Sequence, residues 1–150
     1  MKLDVGNGNS FELAALRYEY PDITEDRWDS NWLVVSGRVT RGEDTWRFVD
    51  PCVTTFELAE LADWLDHLSW HDAPDFEFTE PSLVFSYSVR PAPRLRVRFA
   101  HECAPPWLKT HQDRIEGLTL EFPVSGRDAA DLATSVRSIL SDFPIRGGAA

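Results

Sequence analysis

Histidine and cysteine side chains occur at two places where their spacing is compatible with metal binding. His67 and His71 are four residues apart, a spacing that puts two imidazoles on one face of a helix. In the segment HEC (101–103), His101 and Cys103 would share one face of a strand. Neither pair is accompanied by a second pair at a recognisable spacing, whereas structural zinc normally has four ligands. We therefore expect no metal site and no cofactor.

Motifs for nucleophilic catalysis and for nucleotide binding are also missing. The sequence has no G-x-S-x-G nucleophile elbow, and neither Cys52 nor Cys103 lies in a protease signature. The triplet at 6–8, Gly-Asn-Gly, begins a G-x-G pattern but precedes the first predicted strand and lacks the third glycine of a dinucleotide-binding loop. The sequence predicts that the protein is not an enzyme.

Length and composition indicate one folded domain, 1–150, without an internal repeat. The apolar fraction is 43%, which argues against disorder and supplies a hydrophobic core. No apolar run approaches the ~20 residues of a membrane span, and the segment MKLDVGNGNS lacks the hydrophobic stretch of a secretion signal. We expect a cytoplasmic protein without membrane association, in which Cys52 and Cys103 are reduced, buried thiols.

The net charge is −10, and the excess acid is concentrated in one segment. Residues 43–80 contain eleven acidic residues and a single arginine. This charge disfavours nucleic-acid binding, because phosphates are bound through Lys and Arg. It favours a basic partner, since complementary charge raises the rate of encounter.

Hydrophobic periodicity and turn signals predict an α+β domain with elements in the order βββα-ββββ-α. Most strand-to-strand links are short, so we expect a mainly antiparallel sheet of about six to seven strands with two packed helices. The predicted strands are 10–20, 31–41, 45–53, 76–80, 82–90, 94–102 and 117–125. Trp46 and Phe48 fall in phase on one strand, and we expect that strand face to lie in the core.

The first predicted helix, 55–69, begins at a strand-to-helix junction. Pro51 is expected to end the preceding strand, because proline cannot donate a ladder hydrogen bond. Thr54 is a suitable N-cap, and Glu57 three residues later completes a capping box. Apolar residues then follow at helical spacing.

The second predicted helix begins after Ser125, which forms a capping-box pattern with Asp128. Its apolar positions keep a period near 3.6 residues as far as position 143, and Pro144 stops it. Residues 146–150, RGGAA, are expected to be a frayed tail. The segment 104–116 is predicted to be a loop.

One face of the first helix is a candidate surface for a basic partner. Glu60 and Asp63 lie opposite its leucine stripe, with Phe56 among them and Trp64 at the border. Aromatic side chains anchor protein interfaces, and charges steer the encounter. Together with the acidic loop at 21–31, the candidate partner-binding residues are Asp22, Glu25, Asp26, Asp29, Glu60, Asp63 and Trp64. The alternative is a charged helix face that is merely solvated.

Two segments of the sequence carry a family resemblance, namely YPDITEDRWDSNWLVVSGRV (20–39) and WRFVDPCVTTFELAELADWL (46–65). They resemble the WapI-type immunity proteins of bacterial polymorphic toxin systems over about residues 11–68. The matching positions are Asp29, Asn31, Trp32, Leu33, Asp50, Pro51, Cys52, Thr54, Thr55, Glu57, Leu58, Leu61, Trp64 and Leu65. Val53 stands where the family pattern has Leu.

The resemblance implies a small cytoplasmic protein that binds and neutralises the toxic domain of a secreted toxin, often a nuclease. It implies no catalytic residues, and the protein would act as a monomer or homodimer. One alternative is a small-ligand-binding or regulatory α+β domain, and another is an enzyme whose site the sequence does not reveal. A convex acidic surface would favour the binding protein. An apolar cavity on the order of several hundred Å3 would favour the ligand domain.

Overall fold

The computed structural model describes residues 1–68 and 71–147. Its strands form two four-stranded antiparallel sheets, which confirms the α+β class. The predicted antiparallel pairing is confirmed and the predicted six to seven strands are close to the eight found in these ranges, but the strands form two sheets and not one. Each sheet is a meander in which every strand pairs with the next one along the chain. The long first helix lies between the fourth and fifth strands and separates the two meanders.

Sheet 1 consists of β1 (Lys2–Asp4), β2 (Asn9–Tyr18), β3 (Trp32–Arg41) and β4 (Asp44–Thr54). The sequence did not predict β1, since three residues are too few for a periodic pattern. The prediction that Pro51 ends its strand is also wrong, because β4 continues to Thr54. Pro51 is tolerated since β4 is an edge strand, and Pro51 and Cys52 lie opposite the single residue Val34 in a bulge.

Sheet 2 consists of β5 (Ala73–Glu77), β6 (Leu83–Ser88), β7 (Arg94–Phe99) and β8 (Leu118–Phe122). β5 begins three residues before the predicted start, because Ala73 pairs with Tyr87 and the edge position accommodates Pro74. β7 ends before the predicted residue 102. His101 has a φ of 50°, so the chain leaves the sheet and forms a 3-10 helix, His101–Cys103.

Three α-helices are present among the described residues, namely α1 (Thr55–Asp66), α2 (His111–Glu116) and α3 (Gly126–Asp142). The capping boxes predicted for α1 and α3 are confirmed, with every expected hydrogen bond present. α1 ends three residues before the predicted 69, which itself lies outside the described residues. α2 was missed because six residues give no amphipathic period. None of the helices in the described part of the chain has the length and apolar character of a membrane span.

A shared aromatic core joins the two sheets. Trp46 and Phe48 are 4% and 6% exposed, which confirms that their strand face is core. Phe99 of β7 contacts Phe11 and Trp46 of sheet 1 edge-on, with ring centroids at 4.9 and 5.6 Å. Gly37 permits this packing, because a Cβ there would lie 2.1 Å from the Phe48 ring. α1 and α3 pack on each other beside this core.

Candidate partner-binding surface

The helix part of the predicted surface is partly neutralised by α3. Arg137 forms ion pairs with Asp63 at 2.9 Å and with Asp66 at 2.6 Å. Hydrogen bonds to Asp66 and then to Asp63 raise the pKa of Arg137. Glu60 is exposed and takes part in no ion pair among the described residues. Of the two predicted carboxylates on this helix, Glu60 therefore keeps an uncompensated charge and Asp63 does not.

Trp64 connects α1 to sheet 2. Its indole Nε1 donates a hydrogen bond to the carbonyl oxygen of Pro74 at 2.9 Å, and its ring centroid lies 6.1 Å from that of Phe76. The side chain is half-buried by these contacts. Its main observed contacts are thus internal to the protein.

The acidic loop between β2 and β3 is held in a defined conformation by Asp26. One carboxylate oxygen of Asp26 accepts hydrogen bonds from the backbone N–H groups of Trp28 at 2.8 Å and Asp29 at 2.7 Å. Asp22, Glu25 and Asp29 are exposed. Within residues 1–68 and 71–147, no ion pair involves any of these loop carboxylates. The structure therefore brings the four predicted loop acids together on an ordered, uncompensated segment.

Asn31 fastens this loop to the rest of the protein. Its fully buried side-chain amide donates hydrogen bonds to the carbonyl oxygens of Arg27 at 2.7 Å and Arg146 at 2.8 Å. Its side-chain oxygen accepts hydrogen bonds from the Arg146 N–H at 2.9 Å and from the Thr55 hydroxyl. One side chain thus joins the loop, the first residue of α1 and the C-terminal segment.

The C-terminal segment after α3 supports the loop from its other side. The Arg146 guanidinium lies 3.4 Å from the centroid of the Tyr18 ring and donates a hydrogen bond to the Pro21 carbonyl at 3.0 Å. The Tyr18 hydroxyl donates to the Pro144 carbonyl. The predicted frayed tail is therefore wrong as far as residue 147, while residues 148–150 lie outside the described residues.

Glu57 has a second role beyond its predicted cap. It is 5% exposed, and one carboxylate oxygen accepts hydrogen bonds from the Thr54 N–H at 3.0 Å and the Thr54 hydroxyl at 2.9 Å. The other oxygen accepts the Thr79 N–H at 2.7 Å. These three donors satisfy a buried carboxylate that would otherwise be costly. Glu57 therefore fixes the β5–β6 link against the start of α1.

An exposed aromatic patch, which we define as Trp28, Trp32 and Phe56, lies beside the loop acids. Trp28 is 44% exposed, and its ring centroid is 5.0 Å from that of Phe56 and 6.4 Å from that of Trp32. The Arg27 guanidinium lies 5.4 Å from the Phe56 centroid. None of the three patch residues is among the seven predicted partner-binding residues, although Phe56 was expected on the same helix face as Glu60 and Asp63. The sequence feature that could have indicated this patch is Trp28, which lies between Arg27 and Asp29 in a polar loop.

A further group of carboxylates surrounds Asp50 near the end of β4. Desolvation by burial, followed by the charges of Glu102, Glu80 and Glu19, raises the pKa of Asp50. The backbone N–H of Glu19 donates to the Trp32 carbonyl at 2.8 Å, while the Glu19 carboxylate forms an ion pair with Arg17 at 3.7 Å. The four acids come from separate elements, and sequence spacing therefore gave no indication that they meet.

Cys52 and Cys103 are both free and buried, and their sulfur atoms lie 3.9 Å apart. A hydrogen bond with Cys52, together with burial, raises the pKa of Cys103. The Cys103 thiol is therefore protonated near neutral pH, and a protonated thiol is a poor nucleophile.

Replacing both cysteines with alanine is expected to leave partner binding unchanged. The loss of two small buried groups should lower the free energy of unfolding by roughly 0.5–3 kcal/mol. Urea denaturation and a binding titration of the double variant measure the two effects separately. Loss of binding in a variant with a normal denaturation curve would contradict a purely structural role.

No group of three or more His, Cys, Asp or Glu side chains in the described ranges is arranged to hold a metal ion. An open cleft of 790 Å3 lies between sheet 1 and α3. Its lining mixes apolar residues with the charged side chains of Lys2, Glu12, Arg38, Arg47 and Asp142. The cleft therefore has the size expected of a ligand-binding domain, but it is open and its lining includes charged side chains.

Comparison with known proteins gives a match over nearly the whole chain. The model of the WapI-like immunity protein family matches residues 2–144. This span includes both sheets, the acidic loop, α1 and α3, whereas the resemblance recognised from sequence covered about half of it. No curated protein matches the chain.

Proposed function

The chain belongs to the WapI-like immunity protein family, and we propose that it binds and neutralises a cognate toxin domain through its acidic surface. The family match over residues 2–144 is the observation that carries this proposal. In this proposal the protein performs no catalytic step. It acts by occupying the toxin, in the cytoplasm, as a monomer or homodimer.

The charge of the surface supports a basic partner. A nuclease toxin needs a basic channel to accept phosphates, and an acidic protein surface is complementary to such a channel. The loop acids are exposed and without ion pairs among the described residues, and their four carboxylates outnumber Arg27 in the loop and Arg146 against it, so the loop keeps an excess of negative charge. We therefore propose a toxin domain of the nuclease class as the partner.

The proposed interface contains the residues selected from sequence, namely Asp22, Glu25, Asp26, Asp29, Glu60, Asp63 and Trp64. Their contributions should differ. Asp63 is paired with Arg137, and Trp64 is engaged by Pro74 and Phe76. We assign the larger share of the interaction to the loop, and a smaller share to the α1 face.

The direct experiment uses the toxin domain encoded by the neighbouring reading frame, in a catalytically inactive form for binding and an active form for inhibition. We expect a stoichiometric complex in calorimetry and a loss of toxin activity at equimolar protein. Absence of binding at micromolar concentrations by the folded protein would contradict the proposed function.

Charge reversal in the loop is expected to slow association and to weaken binding. Asp22→Lys with Asp29→Lys should reduce affinity about tenfold or more at low salt, because electrostatic steering is lost. The effect should shrink as salt is raised, because exposed charges are then screened. Stopped-flow association rates at two salt concentrations measure both parts of this prediction.

Two further variants carry the same change in net charge. Glu60→Lys with Asp63→Lys reverses the α1 face, and Asp131→Lys with Asp142→Lys reverses charges on α3. We expect the α1 variant to have a smaller effect than the loop variant, and the α3 variant to have the smallest. Equal effects of all three would mean that net charge, and not this surface, governs binding.

A further inference from the structure

We propose that the aromatic patch of Trp28, Trp32 and Phe56 is the anchor of the interface, and that it receives an arginine or lysine side chain of a basic partner. This inference rests on the proposed function and adds to it a position and a chemical specificity. It concerns residues that were not among those selected from sequence.

Trp28 is the central and most exposed member of the patch. Its ring packs at a steep angle of 77° against Phe56, with the centroids 5.0 Å apart, and it is tilted by 32° against Trp32. At 44% exposure, a large part of its indole remains accessible beside these contacts. A partly supported tryptophan of this kind is typical of residues that dominate binding energy.

The segment that carries Trp28 is ordered in the unbound protein. Asp26 accepts the Trp28 and Asp29 N–H groups, and the Asn31 N–H donates to the Trp28 carbonyl at 2.9 Å. The buried Asn31 side chain then ties the same turn to α1 and to the C-terminal segment. Because the loop already has this conformation, little conformational entropy is lost when a partner binds to it.

Two guanidinium groups of this protein already lie over its aromatic rings. Arg27 lies over Phe56 within the patch at 5.4 Å, and Arg146 lies over Tyr18 at 3.4 Å. A cation placed over an indole face is stabilised by the ring quadrupole. The exposed part of Trp28 therefore offers a matching site for a further cation, contributed by the partner.

Acidic side chains adjoin the patch on the side of the loop. Asp26 and Asp29 flank Trp28 in sequence, and the Asp26 carboxylate accepts the Trp28 N–H at 2.8 Å. An incoming arginine or lysine thus gains attraction from the loop acids as well as from the ring. A nucleic acid would also stack on tryptophan, but these carboxylates repel its phosphates. The negative charge beside the patch therefore favours a basic protein segment over a nucleic acid as the partner.

The first test compares Trp28→Ala with Trp107→Ala in binding to the inactive toxin domain. Trp107 is a close control, since it is 39% exposed, packs edge-on against Trp46 at 5.3 Å and has Arg41 over its ring at 5.5 Å. We expect Trp28→Ala to weaken affinity about 30-fold or more. Trp107→Ala should change it less than about threefold. Circular dichroism and denaturation confirm that both variants remain folded.

The outcomes separate the two proposals. If the wild-type protein does not bind the toxin domain, the proposed function is contradicted. If the wild type binds and Trp28→Ala binds equally well, the function stands and the anchor is wrong. Equal losses in the Trp28 and Trp107 variants would also overturn the anchor, because the effect would then not be specific to the patch.

A second test does not depend on the toxin. A peptide of alternating arginine and glycine is titrated at low salt, and the indole N–H resonances of the tryptophans are followed by NMR. We expect the Trp28 indole resonance to shift while that of Trp107 stays in place, with no shift from a peptide of alternating glutamate and glycine. An unmoved Trp28 resonance, or a shift produced by a single-stranded oligonucleotide and not by the basic peptide, would overturn the inference.

Discussion

Replacing Trp46 with alanine is expected to lower the free energy of unfolding by about 3–5 kcal/mol. Trp46 is 4% exposed, and its ring contacts Phe99 of sheet 2 at 5.6 Å, so the substitution opens a cavity where the two sheets meet. Its indole Nε1 also donates to the buried Cys103 carbonyl at 3.1 Å. Chemical denaturation with an unchanged m-value measures the loss.

Trp46→Phe is the matched control for this prediction. It keeps an aromatic ring at the junction of the sheets but removes the indole N–H, which leaves the Cys103 carbonyl without this donor. We expect a smaller loss, roughly 1–3 kcal/mol. A Trp46→Ala variant that is as stable as the wild type would contradict the assignment of this residue to the core.

Replacing Asn31 with alanine is expected to cost about 2–4 kcal/mol, although the residue carries no hydrophobic bulk. The change removes two donated and two accepted hydrogen bonds from a fully buried site. The Thr55 hydroxyl and the backbone of Arg146 would then lose their partner inside the protein. Thermal and chemical denaturation measure this cost.

The same variant is expected to weaken toxin binding in conditions where it remains folded. In Asn31→Ala the turn that carries Trp28 keeps the backbone hydrogen bond from the Thr55 N–H but loses the side-chain ties to the Thr55 hydroxyl and to Arg146, so the partner must order it further on binding. Hydrogen exchange of the 26–31 amides should speed up before global unfolding. Asn31→Asp keeps the two acceptor contacts and removes the two donors. Its second carboxylate oxygen would face the carbonyl oxygens of Arg27 and Arg146 in a fully buried site, so this variant should lose loop protection at least as strongly as Asn31→Ala, and unchanged protection in both variants would contradict this role.

The residues that carry the family resemblance are mostly supports of the candidate surface. Asn31, Thr54, Thr55 and Glu57 are buried polar residues that connect the loop, the start of α1 and the β5–β6 link. The exposed Trp28 precedes all four in sequence and lies in the turn that Asn31 holds. In this arrangement, buried hydrogen-bonded residues hold an exposed side chain in a fixed position for contact with a partner.

Local sequence signals determined the elements that depend on neighbouring residues. The capping boxes at Thr54 and Ser125 specified where α1 and α3 begin, because a side chain and a backbone group three residues away satisfy each other. The short turn after Arg41 specified the β3–β4 hairpin, and alternation placed Trp46 and Phe48 in the core. Each of these features involves residues close together in the chain.

The tertiary structure alone decided features that join distant parts of the chain. The pairing of Arg137 with Asp63 links residues 74 positions apart, and it removes part of the charge that sequence assigned to α1. Arg146 reaches Asn31 across 115 positions, and the acids around Asp50 come from four separate elements. The sequence thus determined where acid is abundant. Packing determined which of those charges remain uncompensated beside an exposed tryptophan, because ion pairing and burial depend on contacts between segments that have no fixed spacing in sequence.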